Sequence, residues 1–372
     1  MFLSNPIDYL LENAGDVIKY RLHKEILKDL SKTEEENLLE KVLQTPYYKL
    51  VESFVKPNGY IGIGMHSWDM FKETPLQDGE AAARLLSIYA IPKESSIIRN
   101  FIHALRNSDI MEEEFSYYKP EIDRFENRFL GLNNGGGLMV LIYACQALLG
   151  YGDDNEVKPF VKVSYRAFER IMQIDSLEDI TTYNPKLKKK YNYPYIEQDE
   201  YFPCQYHLET LAHTNSWRSK ENIDTMANAM NHLCKIMRDD NNIHVKIGSR
   251  YYSPLWAYVK PFKPFTTKVT FDVALRKTIT HLAMVGGRKI DVVKQSADIV
   301  KEALANDGIL RVEFESHYQK KRFKDNMKFP EPYSEISLEV NYKTNTAIWC
   351  ELTFWAVQLL SILDDKKYKH NH

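Results

Sequence analysis

Apolar residues recur along most of this chain at helical spacing, and polar turns separate the apolar stretches. In residues 223–237, apolar side chains fall at positions i, i+3, i+4 and i+7, which predicts a helix with one buried face. Residues 138–149 are instead apolar on nearly every face, as in a helix that is buried on all sides. Such stretches alternate, so the pattern predicts helical hairpins, each with an inner and an outer helix.

The predicted helices cover positions 5–13, 16–27, 38–55 with a break near Pro46, 81–89, 97–105, 138–149, 161–174, 206–212, 223–237, 271–284, 292–304 and 346–363. The last of these is apolar nearly all round, which predicts burial. Short β pieces are expected at 243–247 and 310–314. The connections from an outer helix to the next inner helix are long and rich in aromatic residues, so we expect them to hold the ligand-binding side chains.

Turns rich in Asp and Asn return at a nearly constant interval. Those at Asp109, Asp175, Asp240 and Asp307 lie about 65 to 67 residues apart, and an earlier copy occurs at Asn58. Such a repeat is typical of an array of helical hairpins. The sequence therefore predicts one all-α domain over residues 1–372. Within it we expect N-terminal helices at 1–57, repeated hairpins at 58–363 and a polar tail at 364–372.

The turns at 57–62, 240–245 and 306–312 each continue into an aromatic or aliphatic residue. In this they resemble degenerate copies of the QW repeat of terpenoid (squalene) cyclases and protein prenyltransferases, although the Gln and Trp of that repeat are missing at every turn. Residues 5–12 and 19–22 are similar to the start of bacterial members of the same superfamily. The resemblance runs over essentially the whole chain. It implies an α/α toroid, in which a ring of inner helices lies inside a ring of outer ones around a central cavity.

The acidic motifs of cyclases are absent from the chain. The Asp pairs at 153–154, 239–240 and 364–365 lack the third carboxylate that ionises a diphosphate, and no Asp-x-Asp-Asp occurs. Three hypotheses stay open: a protein that binds or transforms an apolar, isoprenoid-like molecule; a polysaccharide lyase or glycosidase on an α/α barrel; and a non-catalytic scaffold that binds a peptide. Whether the chain is an enzyme is open as well.

Candidate site residues come from the long connections and from one inner helix. His66, Asp69 and His207 are the candidate catalytic residues, because they supply a base and a carboxylate. Aromatic and amide side chains can pack against an apolar or sugar ligand and hydrogen-bond to it. On this ground the candidate ligand-binding residues are Trp68, Tyr118, Asn133, Asn134, Tyr252 and Trp256.

A zinc site is the alternative role for part of this set. Cys204 and His207 have a workable ligand spacing, and His213 could complete a three-ligand site. Positions 207 and 213 point about 120° apart on an α-helix, however, which favours histidines that bind no metal. We therefore expect no cofactor, with zinc as the weaker alternative.

Composition and charge limit the kinds of molecule that the protein is expected to bind. The net charge of −2 and the pI of about 6.6 give no reason to expect nucleic acid or an anionic membrane as partner. The apolar run at 138–149 is too short to span a bilayer, and no signal peptide is expected. Four widely spaced cysteines without a Cys-x-x-Cys suit a reducing cytoplasm. The expected partner is a small apolar molecule or a carbohydrate, and the oligomeric state is not determined.

Overall fold

The computed structural model of the protein describes residues 4–65, 77–114, 136–186, 193–197, 202–237, 243–247, 249–252, 262–269, 275–314, 338–340 and 344–364. These residues are mostly helical, as predicted. The α-helices are α1 Ser4–Asn13, α2 Asp16–Arg21, α3 Lys32–Leu43, α4 Pro46–Ser53, α5 Gly79–Ile88, α6 Ser96–Arg106, α7 Ser108–Glu114, α8 Gly136–Gln146, α9 Lys158–Ile171, α10 Gln205–Ala212, α11 Lys220–Ile236, α12 Thr280–Gly286, α13 Asp291–Leu304 and α14 Asn345–Asp364.

The predicted helix breaks are confirmed, and their causes are local. Pro46 occupies the first turn of α4, where its missing N–H is not needed. Gly150 has a φ of 87° and ends the helical stretch that begins with α8, a backbone conformation that favours glycine. Wider π-helical turns extend α2 over Leu22–Leu27 and precede α12 over Leu275–Ile279. The helix α7 was not predicted, since its residues were assigned to a turn.

Short strands lie between the helices. They are β1 Tyr195–Glu197, β2 His244–Ile247, β3 Arg250–Tyr252, β4 Lys268–Val269 and β5 Glu313–Phe314. The strand β2 pairs in parallel with β1 and antiparallel with β3, while β4 and β5 pair in parallel. The β pieces predicted at 243–247 and 310–314 are therefore confirmed as β2 and β5, whereas the other strands were missed.

The chain divides into two compact units. The first comprises Met1–Ile110, Pro264–Ala283 and Val292–His372, and the second comprises Met111–Lys263 and Met284–Asp291. The single domain over residues 1–372 stays a prediction, and so does the closed ring of helices.

Helix α14 forms the core of the first unit, where it packs against α1 and α2. By length and composition it is the one helix among the described residues that could cross a membrane, but most of it is buried inside the protein. The Arg21 guanidinium lies over the rings of Phe354 and Trp355, at 4.8 and 5.1 Å from their centroids. The same guanidinium forms a bidentate ion pair with Glu25, with Nε 2.8 Å from Oε1 and Nη2 2.9 Å from Oε2. The predicted burial of this helix is confirmed.

The N-terminus of α5 is closed by hydrogen bonds from the preceding turn. The N–H of Ile63 donates to the Gln77 carbonyl at 2.7 Å, and the N–H of Glu80 donates to the Met65 carbonyl at 3.0 Å. Gly62 has a φ of 86°, and a Cβ there would lie 2.3 Å from the Gln77 oxygen, so only glycine fits. The two described ends of the interval 66–76 therefore meet at the start of α5.

A buried ion pair follows within α5. The Nε of Arg84 donates to Oε1 of Glu80 at 2.8 Å, and the Nη2 of Arg84 approaches the same oxygen at 2.8 Å. The Glu80 side chain is fully buried and that of Arg84 is 6% exposed. Both charged groups are removed from water, so breaking the pair by removing one partner is expected to destabilise the protein.

In the second unit, α9 packs against α10 and α11. Arg218 caps the C-terminus of α10, since its guanidinium donates to the carbonyls of Leu211, Ala212 and Thr214. Oδ1 of Asp153 accepts the N–H groups of the next two loop residues, Asn215 and Ser216, at 2.9 and 2.7 Å. These bonds tie the end of the α8 stretch to the loop between α10 and α11.

All four cysteines carry free thiols. Cys350 is buried in the first unit, and Cys145 and Cys204 are buried in the second. Cys234, also in the second unit, is partly exposed, with its sulfur 3.8 Å from the Phe262 carbonyl oxygen. A thiol that is buried in this way behaves as a small hydrophobic group.

Candidate functional site

Most of the predicted site residues lie outside the described part of the chain. These are His66, Trp68, Asp69, Tyr118, Asn133, Asn134 and Trp256. Tyr252 lies in β3, where its backbone pairs with Val245, and its side chain is likewise outside the described structure. The roles predicted for these residues stay predictions.

The other three predicted residues lie at the two ends of α10. Cys204 is the N-cap residue, and the Nδ1 of His207 accepts its backbone N–H at 3.2 Å. His213 is the C-cap residue at the far end of the helix. Among the described residues, no group of three or more His, Cys, Asp or Glu side chains lies close enough to hold a metal ion. Zinc at these residues stays a hypothesis.

Burial sets the protonation of His207 and Cys204. It lowers the pKa of His207 to about 3, and it raises the pKa of Cys204 to about 12, against hydrogen bonds that lower it. His207 is therefore a neutral imidazole at physiological pH, with the proton on Nε2, because Nδ1 accepts the Cys204 N–H. This arrangement caps a helix in the same way as Glu or Gln at the third helical position.

The first unit contains a different polar group, which we name the acid–tyrosine cluster. It consists of Tyr9, Tyr47, Tyr89, Glu339 and Glu351, with the thiol of Cys350 beside them. Helices α1, α4 and α14 supply three of these side chains, and Tyr89 is the C-cap residue of α5. Glu339 comes from the short described segment 338–340. None of these residues was predicted from the sequence.

Glu339 is held at the start of α2. Its Oε1 accepts the backbone N–H of Gly15 at 2.8 Å, and the residue is only 8% exposed. A Cβ on Gly15 would lie 2.7 Å from Oε2 of Glu339, so a larger residue there would displace the end of the Glu339 side chain. The helix N-terminus attracts the carboxylate, because the free N–H groups there carry partial positive charge.

Glu351 is held by two N–H donors. The backbone N–H of Leu338 donates to Oε2 at 3.1 Å, and the indole N–H of Trp355 donates to Oε1 at 3.4 Å. Glu351 is 2% exposed and lies within the apolar helix α14. Leu338 and Glu339 are neighbours in sequence, so the two carboxyl groups hold the same short segment.

The three tyrosines of the cluster interact electrostatically with these acids. Tyr47 is 4% exposed, and its buried hydroxyl has no hydrogen-bond partner within the described part of the structure. Burial raises the pKa of Tyr47, and the charge of Glu351 adds to the shift. Burial also raises the pKa of Tyr89, as do Tyr47 and Glu351. The Tyr9 pKa is raised by burial and by the Cys350 thiol beside it. These phenols stay protonated, and thus remain donors, over the physiological range.

Glu339 is a group in the cluster whose pKa lies near neutrality. Burial raises its pKa from 4.5 to about 7; the charges of Glu351 and Asp16 add to the rise, whereas the Gly15 N–H and Lys19 oppose it. A carboxyl group poised near neutral pH can both donate and accept a proton. A raised pKa at a buried carboxyl group with a charged neighbour is common among catalytic acids.

The raised pKa of Glu339 predicts a pH-dependent stability. Between pH 4.5 and 7 the folded protein holds a proton that the unfolded chain has lost, so the free energy of unfolding should fall as pH rises. We expect Glu339→Gln to match the wild type at pH 4.5 and to exceed it by about 3 kcal/mol at pH 8. Urea unfolding at several pH values measures this difference.

A matched control for this prediction is Glu302→Gln, on the exposed face of α13. It should leave the pH dependence of the wild type unchanged. An unfolding free energy of Glu339→Gln that runs parallel to the wild type across pH 4.5–8 would contradict the raised pKa.

One sequence signal could have located the cluster. Residues 346–363 were predicted to be buried on nearly all faces, and Glu351 is the one acidic residue within them. A lone acid in such a helix is buried, and buried acids need partners. Glu339 gave no comparable signal, because nothing local marks its segment.

No family model, curated protein or solved structure matched the chain in the comparisons with known proteins. The function must therefore be inferred from the chemistry of the side chains.

Proposed function

We propose that the protein is an enzyme that binds an apolar small molecule and acts on it by general acid–base catalysis, with the Glu339 carboxyl group as proton donor. The acid–tyrosine cluster is the observation that carries this proposal. It combines two buried carboxyl groups with aromatic side chains and with a Tyr47 hydroxyl that has no hydrogen-bond partner among the described residues. Unsatisfied buried polar groups are rare in folded proteins, and a catalytic role is one of the explanations for such a group.

The acidity of Glu339 limits the reaction type. A carboxyl group with a pKa of about 7 is half protonated at neutral pH and, as a general acid, can donate its proton to an oxygen atom while a bond to that oxygen breaks. It is too weak an acid to protonate an isolated alkene. The reaction proposed is therefore proton transfer to an oxygen of the ligand. This agrees with the absence of an Asp-x-Asp-Asp motif from the chain.

The proposed architecture is an α/α toroid like that of terpenoid cyclases and prenyltransferases. This architecture is supported by the presence of two kinds of helix, one buried on most faces and the other on a single face. Helix α14 is buried on most faces, whereas α6 and α9 each bury a single stripe and expose the opposite face. We also propose a cytoplasmic location, which the free thiols support.

A carbohydrate-active enzyme is the second candidate, because glycoside hydrolysis also uses two carboxyl groups. Glu339 and Glu351 provide such a pair. Their burial among tyrosine, tryptophan and phenylalanine side chains favours an apolar ligand over a sugar, which needs many hydrogen bonds. The non-catalytic peptide scaffold has no described feature in its favour.

The proposal is tested with defined substrates. Purified protein is incubated at pH 7 with farnesol, squalene or cellohexaose, and products are followed by gas chromatography or by reducing-end release. We expect farnesol to lose water: Glu339 donates its proton to the hydroxyl oxygen as the C–O bond breaks, and the carbocation then returns a C–H proton to the Glu339 carboxylate, which leaves a C15 hydrocarbon and water. The rate should fall about 100-fold or more in Glu339→Gln and be unchanged in Glu302→Gln. The proposal is wrong if farnesol is not converted, or if Glu339→Gln converts it like the wild type. Cleavage of cellohexaose would establish the carbohydrate alternative instead.

A further inference from the structure

The three-stranded sheet of the second unit has one face that combines tyrosine rings with polar side chains. The parallel pairing of β1 with β2 places Tyr195 opposite His244 and Glu197 opposite Lys246, and the antiparallel partner of Lys246 is Tyr251 in β3. Paired residues project to the same side of a sheet, and so do residues two apart in one strand. Together with Tyr193, whose ring contacts His244, they form what we name the tyrosine face: Tyr193, Tyr195, Glu197, His244, Lys246 and Tyr251.

The rings of the tyrosine face are held in place by their neighbours. Tyr193 stacks on His244, with ring centroids 4.9 Å apart and planes inclined by 24°. Tyr195 meets Tyr251 edge to face at 5.0 Å, and the Tyr251 hydroxyl accepts a hydrogen bond from the Asn184 amide at 2.8 Å. A surface that is ordered in this way loses little conformational freedom when a ligand binds.

Tyr193 is the ring of this face that is most open to solvent. The residue is 41% exposed, whereas Tyr195 is 8% exposed and Tyr251 is only partly exposed. His244 covers one side of the Tyr193 ring, so the exposed part of the ring is its other side and its edge. A flat apolar ring with a polar hydroxyl at its tip can pack against the C–H groups of a sugar ring and hydrogen-bond to its hydroxyl groups.

The charges of the tyrosine face favour a neutral ligand. Lys246 is its one Lys or Arg residue, and Nζ of Lys246 donates to Oε1 of Glu197 at 2.6 Å. A polyuronate or a nucleic acid binds through cations that pair with its anionic groups, and this cation is already paired. A sugar hydroxyl group can instead donate to the Glu197 carboxylate and accept from the Lys246 ammonium group. Both side chains are open to solvent for such contacts.

We infer that the tyrosine face binds a neutral oligosaccharide, with one sugar ring stacked on Tyr193 and further hydroxyl groups bonded to Glu197 and Lys246. Positions 193 and 197 are about 13 Å apart in an extended strand. A single sugar ring does not span this distance, whereas a chain of several rings does. The tyrosine face belongs to the second unit and Glu339 belongs to the first, so this binding is a function separate from the proposed catalysis.

Four probes test the inference by titration calorimetry with the full chain: cellohexaose (a neutral oligosaccharide), glucose (a single ring), hexagalacturonate (an anionic oligosaccharide) and decaproline (a peptide). The proteins compared are the wild type, Tyr193→Ala, Tyr193→Phe and Tyr183→Ala. Tyr183 is the matched control, because it is 56% exposed but projects to the opposite side. It follows Thr182, which is the antiparallel partner of Tyr195.

We expect the wild type to bind cellohexaose, and to bind the other three probes at least tenfold more weakly. Tyr193→Ala should bind cellohexaose about tenfold more weakly than the wild type, because the apolar area buried by the ring is lost. Tyr193→Phe keeps the ring and should bind within about twofold of the wild type. Tyr183→Ala and Glu339→Gln should bind cellohexaose like the wild type.

A second measurement uses the wild type alone and does not depend on the folding of a variant. Saturating cellohexaose should protect Tyr193, but not Tyr183, from nitration by tetranitromethane, as followed by peptide mapping. The inference is overturned if cellohexaose does not bind, if it leaves the nitration of Tyr193 unchanged, or if Tyr193→Ala binds it like the wild type. Tighter binding of hexagalacturonate or decaproline than of cellohexaose would also overturn it. Conversion of farnesol, which tests the role of Glu339, is independent of all these results.

Discussion

Replacing His207 with glutamine is expected to preserve the stability of the protein in acid, where the wild type loses it. Burial lowers the pKa of His207 from 6.5 to about 3, so the folded state excludes a proton that the unfolded chain binds between these values. The stability due to the neutral imidazole is present above pH 6.5 and is lost as pH falls toward 3. The difference amounts to about 4 to 5 kcal/mol at pH 3.

Glutamine is the informative substitution because it can preserve the hydrogen bond that caps the N-terminus of α10. The Nδ1 of His207 accepts the Cys204 N–H at the third position of α10, and a Gln side chain at this position can accept the same bond. The variant should therefore match the wild type at pH 7 and exceed it increasingly below pH 6.5. His103→Gln, on the exposed side of α6, is the control and should behave like the wild type.

Urea unfolding from pH 3 to 8 measures this effect, with variant and wild type compared at each pH. Between pH 4.5 and 6.5 the titration of Glu339 lowers the free energy of unfolding as pH rises, whereas that of His207 raises it. The unfolding free energy of the wild type is therefore expected to change little with pH in this range. A constant difference between His207→Gln and the wild type at all pH values would show that the imidazole is charged or exposed. Activity of the same variant tests the catalytic role predicted for His207.

Removal of Arg84 is the second change with a large expected effect. Arg84→Met should lower the free energy of unfolding by about 3 to 5 kcal/mol, because the fully buried Glu80 loses the guanidinium that is paired with it at 2.8 Å. The double variant Glu80→Met/Arg84→Met removes both charges and should lie within about 1 to 2 kcal/mol of the wild type. Urea unfolding at pH 7 separates the two results.

The double variant also discriminates between two explanations. If both variants lose the same stability, the damage comes from poor packing around α5 and not from the lost ion pair. A small loss in Arg84→Met alone would show that water or other groups around Glu80 compensate for its charge.

The helices could be predicted because their signals are local. The apolar spacing of 223–237 falls on α11 and its C-cap residue, and Gly150 and Pro46 mark breaks through their own backbone restrictions. The strands β1, β3 and β4 have two or three residues each and depend on remote partners, such as Tyr195 opposite His244. So short a segment has no periodicity from which to predict it.

The candidate site was harder to predict for the same reason. The bond between Gly15 and Glu339 joins residues 324 positions apart, and neither residue stands out among its neighbours. His207 illustrates the converse. The sequence predicts it to be catalytic, and that role stays a prediction; its burial and its part in the helix cap depend on packing that no local pattern reveals.

The distribution of the cysteines has a practical consequence for the two units. An alkylating reagent reaches Cys350 only when the first unit opens, and it reaches Cys145 and Cys204 only when the second opens. Peptide mapping after timed exposure to iodoacetamide therefore follows the opening of each unit by its own native thiol. The partly exposed Cys234 calibrates the reagent, so no engineered label is needed to learn which unit opens first.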